Sequence, residues 1–216
     1  MLSVAEVVQL EKRIEAEGTG LFELMQRAGA SVSGYILHNL EAAHKTVIFS
    51  GSGNNGGDGW VIAGDLARRG YHVVLVTARS AAELSVEPAR SAALETTAQG
   101  YATLTIAVDP TEEELAAFLD EATIAVDALL GIGFGGESVR EPYRHWIDAI
   151  NREREQRPAL HVVSVDIPSG LLADTGKAAR PCVAADTTIT MLAPKPALVL
   201  PSSKQYCGTV FVARLI

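Results

Sequence analysis

The chain has 216 residues, which predicts one domain, or at most two small ones, with a sizeable core. Apolar residues make up 48% of the sequence and charged residues 20%, and these fractions exclude a disordered chain, a coiled coil and a collagen-like repeat. The 18 basic and 26 acidic side chains give a net charge of −8. That charge disfavours nucleic acids and acidic membranes as partners, because both would repel it.

Nothing in the sequence predicts a membrane segment or an exported protein. No apolar run approaches the roughly 18 residues that span a bilayer. The N-terminal segment MLSVAEVVQLEKR lacks the basic-then-apolar order of a signal peptide. Cys182 and Cys207 match no metal or redox spacing, so we expect buried, reduced thiols. We therefore predict a soluble cytoplasmic protein.

The first forty residues predict two helices. Ser3 stands where an N-cap stabilises the first helix, and apolar residues follow at helical spacing up to Ile14. A break rich in glycine precedes the second predicted helix, residues 21–40. We predict that residues 1–42 are a helical extension within a single domain that spans residues 1–216.

Strands and helices then alternate, as in the βαβ units of a mainly parallel sheet. The predicted strands are almost continuously apolar, which is typical of strands that are covered on both faces. In chain order the predicted elements are strand 46–49, helix 60–69, strand 71–77, helix 81–99, strand 102–108, helix 112–121, strand 124–130, helix 143–152 and strands 161–166, 187–192 and 209–213. This pattern predicts an α/β fold.

A glycine-rich segment, GSGNNGGDG at residues 51–59, is predicted to be a loop between the first strand and the next helix. Its glycines permit close approach to a ligand, and the N-terminus of the helix behind it suits a phosphate. Residues 51–56 also satisfy the dinucleotide fingerprint G-x-G-x-x-G. However, Arg79 stands near the end of the second strand, where that fingerprint requires a ribose-binding acid. A nicotinamide-dependent oxidoreductase is therefore disfavoured, and a glycine-rich turn without a ligand stays open.

Two further segments begin with an acidic residue at the end of an apolar strand. Asp127 precedes the glycine-rich residues 131–137, and a buried carboxylate there needs a partner or a cation. Asp166 closes the fifth strand on a turn that Pro168 stiffens, which suits a general acid/base. For each aspartate, a capping or turn-forming role is the alternative.

In the doubly wound strand order 3-2-1-4-5-6, these three segments meet at the crevice where ligands bind. The oxygen-bearing side chains of Asn55, Asp127 and Ser169 suit a hard cation better than zinc. Lys195, within a Pro-Lys-Pro segment, either reaches the same crevice or is solvated. Tyr143 either walls the second segment or only begins a helix.

These motifs resemble those of the NAD(P)H-hydrate epimerase family, the N-terminal domain type of the bifunctional nicotinamide-nucleotide repair enzyme. The similar segments run in order through nearly the whole chain and are LFELMQRAG, GSGNNGGDGWVIAGDLARRG, DALLGIGFGGE, VDIPSGLLADTG and LAPKPAL. The resemblance implies a Rossmann-like three-layer α/β/α domain, a homodimer and a bound potassium ion (K+). It also implies R- to S-epimerisation of the C6 hydroxyl of hydrated NADH or NADPH, abbreviated NAD(P)HX.

The same resemblance implies roles for individual residues. Asp166 falls on the position of the catalytic acid/base, and Asn55, Asp127 and Ser169 fall on those of the potassium ligands. Ile132 replaces a threonine that is often found in the second segment, which puts side-chain contacts there in question. The implied substrate-binding residues are Asn54, Asn55, Gly56, Gly57, Asp58, Gly131, Ile132, Gly133, Phe134, Gly135, Gly136, Glu137 and Asp166.

The length leaves room for the epimerase-like domain alone, because the ATP- or ADP-dependent dehydratase of the bifunctional enzymes needs a second domain. We therefore expect either a stand-alone epimerase or one domain of a longer protein, with the dehydratase as a fused or separate partner. A non-catalytic scaffold is the open alternative, since similar domains resemble proteins of mRNA decapping and apolipoprotein binding. The presence of Asp166 and of the cation ligands favours the enzyme, an isomerase.

Overall fold

A computed structural model describes residues 1–40 and 45–216, and a parallel sheet organises this part of the chain. The strands are β1 (Lys45–Ser50), β2 (His72–Thr77), β3 (Leu104–Val108), β4 (Ile124–Ala128), β5 (His161–Val165), β6 (Thr187–Met191) and β7 (Thr209–Ala213). The helices are α1 (Val4–Ala16), α2 (Leu21–Asn39), α3 (Asn54–Arg68), α4 (Ala89–Ala98), α5 (Glu112–Asp120), α6 (Tyr143–Gln156) and α7 (Lys204–Cys207).

The strands lie in the order β3-β2-β1-β4-β5-β6-β7, and every neighbouring pair is parallel. The order predicted for the first six strands is confirmed, and β7 extends the sheet beside β6. The chain winds outward from β1 to β3 and then returns to place β4 on the other side of β1. The carboxyl ends of β1 and β4 therefore flank the crevice at which open α/β sheets bind ligands.

Helices cover both faces of the sheet, so the predicted α/β fold with three layers is confirmed. One face packs against α2, α3 and α4 in a cluster that contains Ile36 and Trp60. The other face packs against α5 and α6 in a cluster that contains Leu119 and Trp146. Among the helices of residues 1–40 and 45–216, none combines the length and the apolarity needed to cross a membrane.

The N-terminal helices form largely as predicted. The Ser3 hydroxyl accepts a hydrogen bond from the Glu6 N–H, and the Glu6 carboxylate accepts one from the Ser3 N–H at 2.8 Å. This capping box satisfies two N–H groups that would otherwise lack partners. The second helix ends at Asn39, and residues 41 and 42 of the predicted extension lie outside the described residues.

The predicted helix at residues 81–99 is wrong over its first half. Only a short 3-10 turn forms at Ala81–Glu83, and α4 begins at Ala89. Pro88 explains the difference, because a proline disfavours helical conformation in the residue before it and lacks an N–H group. The helix therefore begins directly after the proline.

The predicted loop at residues 51–59 is wrong beyond its first three residues, because α3 begins at Asn54. At Gly56, packing requires a glycine. A Cβ atom there would lie 1.8 Å from the carbonyl oxygen of Gly51. The missing side chain lets α3 approach the end of β1 closely, and this contact places the first turn of the helix at the crevice.

Gly56→Ala is expected to lower the free energy of unfolding by about 3 kcal/mol, because the added methyl group must displace the backbone at Gly51. Gly53→Ala is the matched control, since a Cβ atom there would meet nothing within 4 Å. We expect the control to change the stability by less than about 1 kcal/mol. Urea denaturation of both variants measures the difference, and equal midpoints would show that the turn has room for a side chain.

Candidate active site

A cavity of about 610 Å³ opens at the carboxyl ends of β1, β4 and β5. Its walls come from the segments that follow these strands, from α1 and α2, and from the loop after β6. A cavity of this size suits a small-molecule ligand. The side chains that bring polar or charged groups to it are Glu11, Ser52, Asn54, Asn55, Asp58, Tyr143, Asp166 and Lys195.

The structure brings many of the predicted substrate-binding residues to this cavity. Those that line it are Asn54, Asn55, Asp58, Gly131, Ile132, Gly133, Phe134 and Asp166. Those that do not line it are Gly56, Gly57, Gly135, Gly136 and Glu137. The Glu137 carboxylate is exposed and pairs with the Lys177 ammonium at 2.9 Å. Contact of any of these residues with a substrate stays a prediction.

Asp166 follows β5 directly and presents one carboxylate oxygen to several donors. Its Oδ1 atom accepts hydrogen bonds from the Met191 N–H at 2.9 Å and from the Thr190 hydroxyl at 3.2 Å. The same atom forms an ion pair with the Lys195 ammonium. Among the described residues, no donor reaches Oδ2. Because Asp166 lines the cavity, this second oxygen is available to a ligand.

Lys195 is fully buried, so the alternative of a solvated lysine is wrong. Its ammonium also donates hydrogen bonds to the Thr190 hydroxyl and to the Met191 carbonyl oxygen, both at 3.0 Å. A buried ammonium is tolerated only when it is paired and hydrogen-bonded in this way. In the sequence, this residue was marked by the Pro-Lys-Pro segment and by the similar segment LAPKPAL, neither of which indicates its partner.

Asp58 and Glu11 bring two more carboxyl groups to the same cavity. Asp58 is 9% exposed, and burial raises the pKa of its carboxyl group well above the ordinary value. The negative charges of Asp166 and Glu11 raise this pKa further, while Lys195 opposes them. The pKa of Glu11 is also raised, first by burial and then by Asp166. Both carboxyl groups therefore lose their protons less readily than they would in water.

Glu11 was missed by sequence reasoning, although α1 contains a signal for it. Val4, Val7 and Ile14 lie on one face of the helix at spacings of three and seven residues, and Glu11 falls on the same face between Val7 and Ile14. An acidic residue within an apolar stripe is unusual because its burial costs free energy. The pattern therefore singles out Glu11, but only the fold shows that this face meets a cavity.

Tyr143 has both of the roles that the sequence left open, since it begins α6 and lines the cavity. Its hydroxyl accepts the Ser52 N–H at 3.0 Å and contacts the Ser52 hydroxyl at 2.8 Å. The adjacent N-terminus of α3 has no side-chain cap. Because the first N–H groups of a helix lack partners within it, this end of the cavity suits a phosphate group.

The three predicted cation ligands lie together at the ends of β1, β4 and β5. Asp127 is fully buried and accepts hydrogen bonds from the Ser169 N–H and the Ser164 hydroxyl, both at 2.8 Å, and from the Ser169 hydroxyl. The Asn55 amide donates to the Leu130 carbonyl oxygen at 3.2 Å. Leu130 in turn donates its N–H to the Ser169 hydroxyl at 2.9 Å.

The chemistry of these donors fits a weakly charged cation. Burial raises the pKa of Asp127, although its hydrogen bonds oppose that shift. Among residues 1–40 and 45–216, no basic side chain pairs with Asp127, and no group of three or more His, Cys, Asp or Glu side chains is placed to hold a metal. One carboxylate with amide and hydroxyl oxygens suits a hard ion rather than zinc.

An open parallel sheet of this strand order, with a helix N-terminus and acid/base groups at its crevice, defines an α/β domain of the Rossmann-like class. Residues 21–197 match the family described as YjeF-related protein N-terminus. The chain belongs to this family.

Several relatives cover most of the chain. It is 34% identical to the bifunctional NAD(P)H-hydrate repair enzyme Nnr of Coxiella burnetii, over 97% of this chain and 40% of that protein. It is 35% identical to the NAD(P)H-hydrate epimerase of Pirellula staleyi, over 88% of this chain and 80% of that protein. It is 31% identical to the NAD(P)H-hydrate epimerase of Cenarchaeum symbiosum, over 99% of this chain and 94% of that protein. The chain therefore spans less than half of the bifunctional relative.

The fold also matches a solved structure. The crystal structure of the yeast protein YNL200c superposes with a TM-score of 0.76 over 91% of this chain and 82% of that one. At 23% sequence identity, this likeness establishes the shared fold.

Proposed function

We propose that the chain epimerises the C6 hydroxyl of hydrated NADH and NADPH and converts the R-hydrate to the S-hydrate. The observation that carries this proposal is the Asp166–Lys195 ion pair at the cavity. Relatives that cover most of the chain carry the name NAD(P)H-hydrate epimerase, which supports the same activity. An aspartate that lines a cavity and has one carboxylate oxygen without a donor among the described residues can move a proton on a bound hydroxyl.

The chemistry of the hydrate needs little more than proton transfer. Its C6 carbon bears both a ring nitrogen and a hydroxyl group, so the nitrogen lone pair can expel the hydroxyl and leave a planar iminium. Water that adds to the opposite face inverts the centre. Asp166 transfers a proton at the oxygen that leaves or joins C6. Lys195 and the Met191 N–H hold the Oδ1 atom of Asp166, which leaves Oδ2 for this transfer.

The N-terminus of α3 supports binding of the nucleotide part of the hydrate. Ser52, Gly53, Asn54 and Asn55 bring this end of the helix to the cavity wall. A diphosphate placed there accepts hydrogen bonds from the uncapped N–H groups and interacts favourably with the helix dipole. The ring of the hydrate then extends along the cavity toward Asp166.

Incubation of the purified chain with the R-hydrate in potassium buffer tests this function. Chromatographic separation of the two epimers should show conversion to the S-hydrate at a rate proportional to the protein concentration. If the chain leaves the ratio of epimers unchanged, the epimerase assignment is wrong and a scaffold role is favoured.

We also propose that Asn55, Asp127 and Ser169 hold K+. The ion would supply a positive charge beside the buried Asp127 carboxylate and would join the segments that follow β1, β4 and β5. The Asn55 amide oxygen has no donor among the described residues, which leaves it available as a ligand. The site therefore has a structural task, shaping the two glycine-rich segments at the cavity.

Replacing K+ by lithium at equal ionic strength is expected to lower the melting temperature. An ion at ten times its Kd stabilises the folded chain by about 1.4 kcal/mol. Asn55→Ala should abolish the difference between the two salts. Asn54→Ala, at an exposed neighbouring position, should retain it. Identical melting curves in both salts for the unmodified chain would contradict the potassium site.

We propose a homodimer as the assembly and a dehydratase, fused or separate, as the functional partner. The name of the Coxiella burnetii relative, a bifunctional repair enzyme, supports the second of these. Phe211 and Val212 on the edge strand β7 are exposed, which supports an apolar contact between copies. Light scattering of the purified chain measures its molar mass and so tests the proposed homodimer.

A further inference from the structure

Glu11 occupies a position that folding alone does not explain. It is half-buried on the face of α1 that carries the buried Val7 and Ile14, and it lines the cavity. Among residues 1–40 and 45–216, no group forms a hydrogen bond or an ion pair with its carboxyl. An acid held in such a place without a partner lowers stability. A role in binding or catalysis at the cavity would account for the position of Glu11.

The charges around Glu11 make its carboxyl part of a cluster. Asp166 after β5 and Lys195 after β6 act on its carboxyl group, and Glu11 in turn acts on Asp58 of α3, which lines the same cavity. Three carboxyl groups therefore share one ammonium. If all were ionised, like charges would repel in a partly dry space, and the pKa values of Glu11 and Asp58 are raised accordingly.

Epimerisation through an iminium requires proton transfer on both faces of the ring. The hydroxyl leaves from one face, and water adds to the other. A single carboxyl held by Lys195 is fixed in place, so it serves one of these faces. Glu11 approaches the same cavity from α1, a different wall from the strand ends that carry Asp166.

We infer that Glu11 is the second acid/base group of the site and donates a proton to the departing C6 hydroxyl, while Asp166 accepts a proton from the incoming water. This inference rests on the proposed epimerase function. It identifies an acidic residue on the N-terminal helix as part of the machinery that acts on a hydrated nicotinamide.

The step balances without a further reactant. The Glu11 proton passes to the C6 hydroxyl oxygen, the C6–O bond breaks, and the nitrogen lone pair forms the C=N bond, which releases water. A water molecule then forms a new C6–O bond on the opposite face, and the electron pair returns to nitrogen. Its surplus proton passes to Asp166. Solvent exchange returns that proton to Glu11 before the next turnover.

Glu11 suits this cycle better than Asp58 does. Burial and the charge of Asp166 raise the pKa of both carboxyl groups. Asp58 is 9% exposed, whereas Glu11 is half-buried at the cavity wall and can exchange its proton with water. Glu11 is therefore the better placed of the two to regain a proton between turnovers.

The test compares Glu11→Gln with Glu15→Gln, an exposed glutamate one turn further along the same helix. Thermal melting establishes that both variants fold. We expect Glu11→Gln to lower kcat/KM about 100- to 10,000-fold and Glu15→Gln to stay within about twofold of the unmodified chain. Glu11→Asp, which keeps an acid at the position, should recover part of the loss.

The pH profile separates an acid from a residue that only positions others. Glu11 acts in its protonated form, so kcat/KM of the unmodified chain should fall as the pH rises through the Glu11 pKa. This fall should be absent in Glu11→Gln and present in Glu11→Asp and Glu15→Gln.

Three results would overturn the inference while the proposed function stands. These are a Glu11→Gln rate equal to that of Glu15→Gln, a lowered rate that keeps the fall at high pH, and loss of that fall in Asp58→Asn instead. An unmodified chain that converts no R-hydrate would overturn the function and the inference together.

Discussion

Asp166→Asn is expected to lower kcat/KM for the R-hydrate by about 100- to 10,000-fold, because an amide keeps the shape of the carboxylate but cannot accept the proton. Asparagine should fit the backbone at this position. The φ angle of Asp166 is +65°, and asparagine tolerates this left-handed conformation better than most residues do. Rates of conversion measured by chromatography give the effect.

Asp109→Asn is the matched control for this variant. Asp109 also follows a strand and has a positive φ of 47°, but it is exposed and lies outside the cavity. Its substitution should leave the rate unchanged. Because Asp166→Asn leaves the Lys195 ammonium without its carboxylate, rates must be measured well below the melting temperature of each variant. A rate near that of the control would reject Asp166 as the acid/base.

Lys195→Met is expected to lower the free energy of unfolding by about 3–5 kcal/mol, since removing one partner of a buried ion pair leaves the other uncompensated. The Lys195 side chain is 0% exposed and that of Asp166 is 13% exposed, so water screens the pair little. Methionine keeps the length and apolar character of the lysine stem. Denaturant titration measures the loss, and the epimerisation rate should also fall because Asp166 is no longer held.

Lys204→Met controls for the loss of a lysine, because Lys204 is exposed in α7 and should tolerate the change within about 0.5 kcal/mol. The double variant Lys195→Met with Asp166→Asn provides a second check. Neither buried charge then remains alone, so its destabilisation should be smaller than the sum of the two single effects. Additive losses would mean that the two side chains stabilise the fold independently.

Much of the fold follows from local patterns. Apolar strands alternating with helices predicted the parallel sheet. The strand order predicted that Asp127 and Asp166 lie near each other at the carboxyl ends of the strands. Errors arose where local patterns conflict with packing. The glycines of residues 51–59 were interpreted as a loop, yet α3 begins at Asn54, and Gly56 packs closely against the backbone of Gly51.

The candidate site was predicted only in part. Asn55, Asp127 and Ser169 were expected to meet because each lies at or just after the end of a strand at the crevice, and the structure places them together around Leu130. The position of Glu11 could not be predicted in this way, because α1 lies outside the βαβ pattern and such a helix can pack in many ways. Its position over the strand ends depends on contacts with residues far along the chain, such as the Val4 N–H with Asp174.

The sequence by itself determined the class of fold, the edge of the sheet that carries the site and the family that the chain resembles. These depend on periodicity and on motifs, which are local. Only the tertiary structure decided that Lys195 is buried against Asp166 and that Glu11 and Asp58 share its cavity. The burial and partners of a charged side chain depend on groups brought together by folding, because desolvation and ion pairing act through space rather than along the sequence.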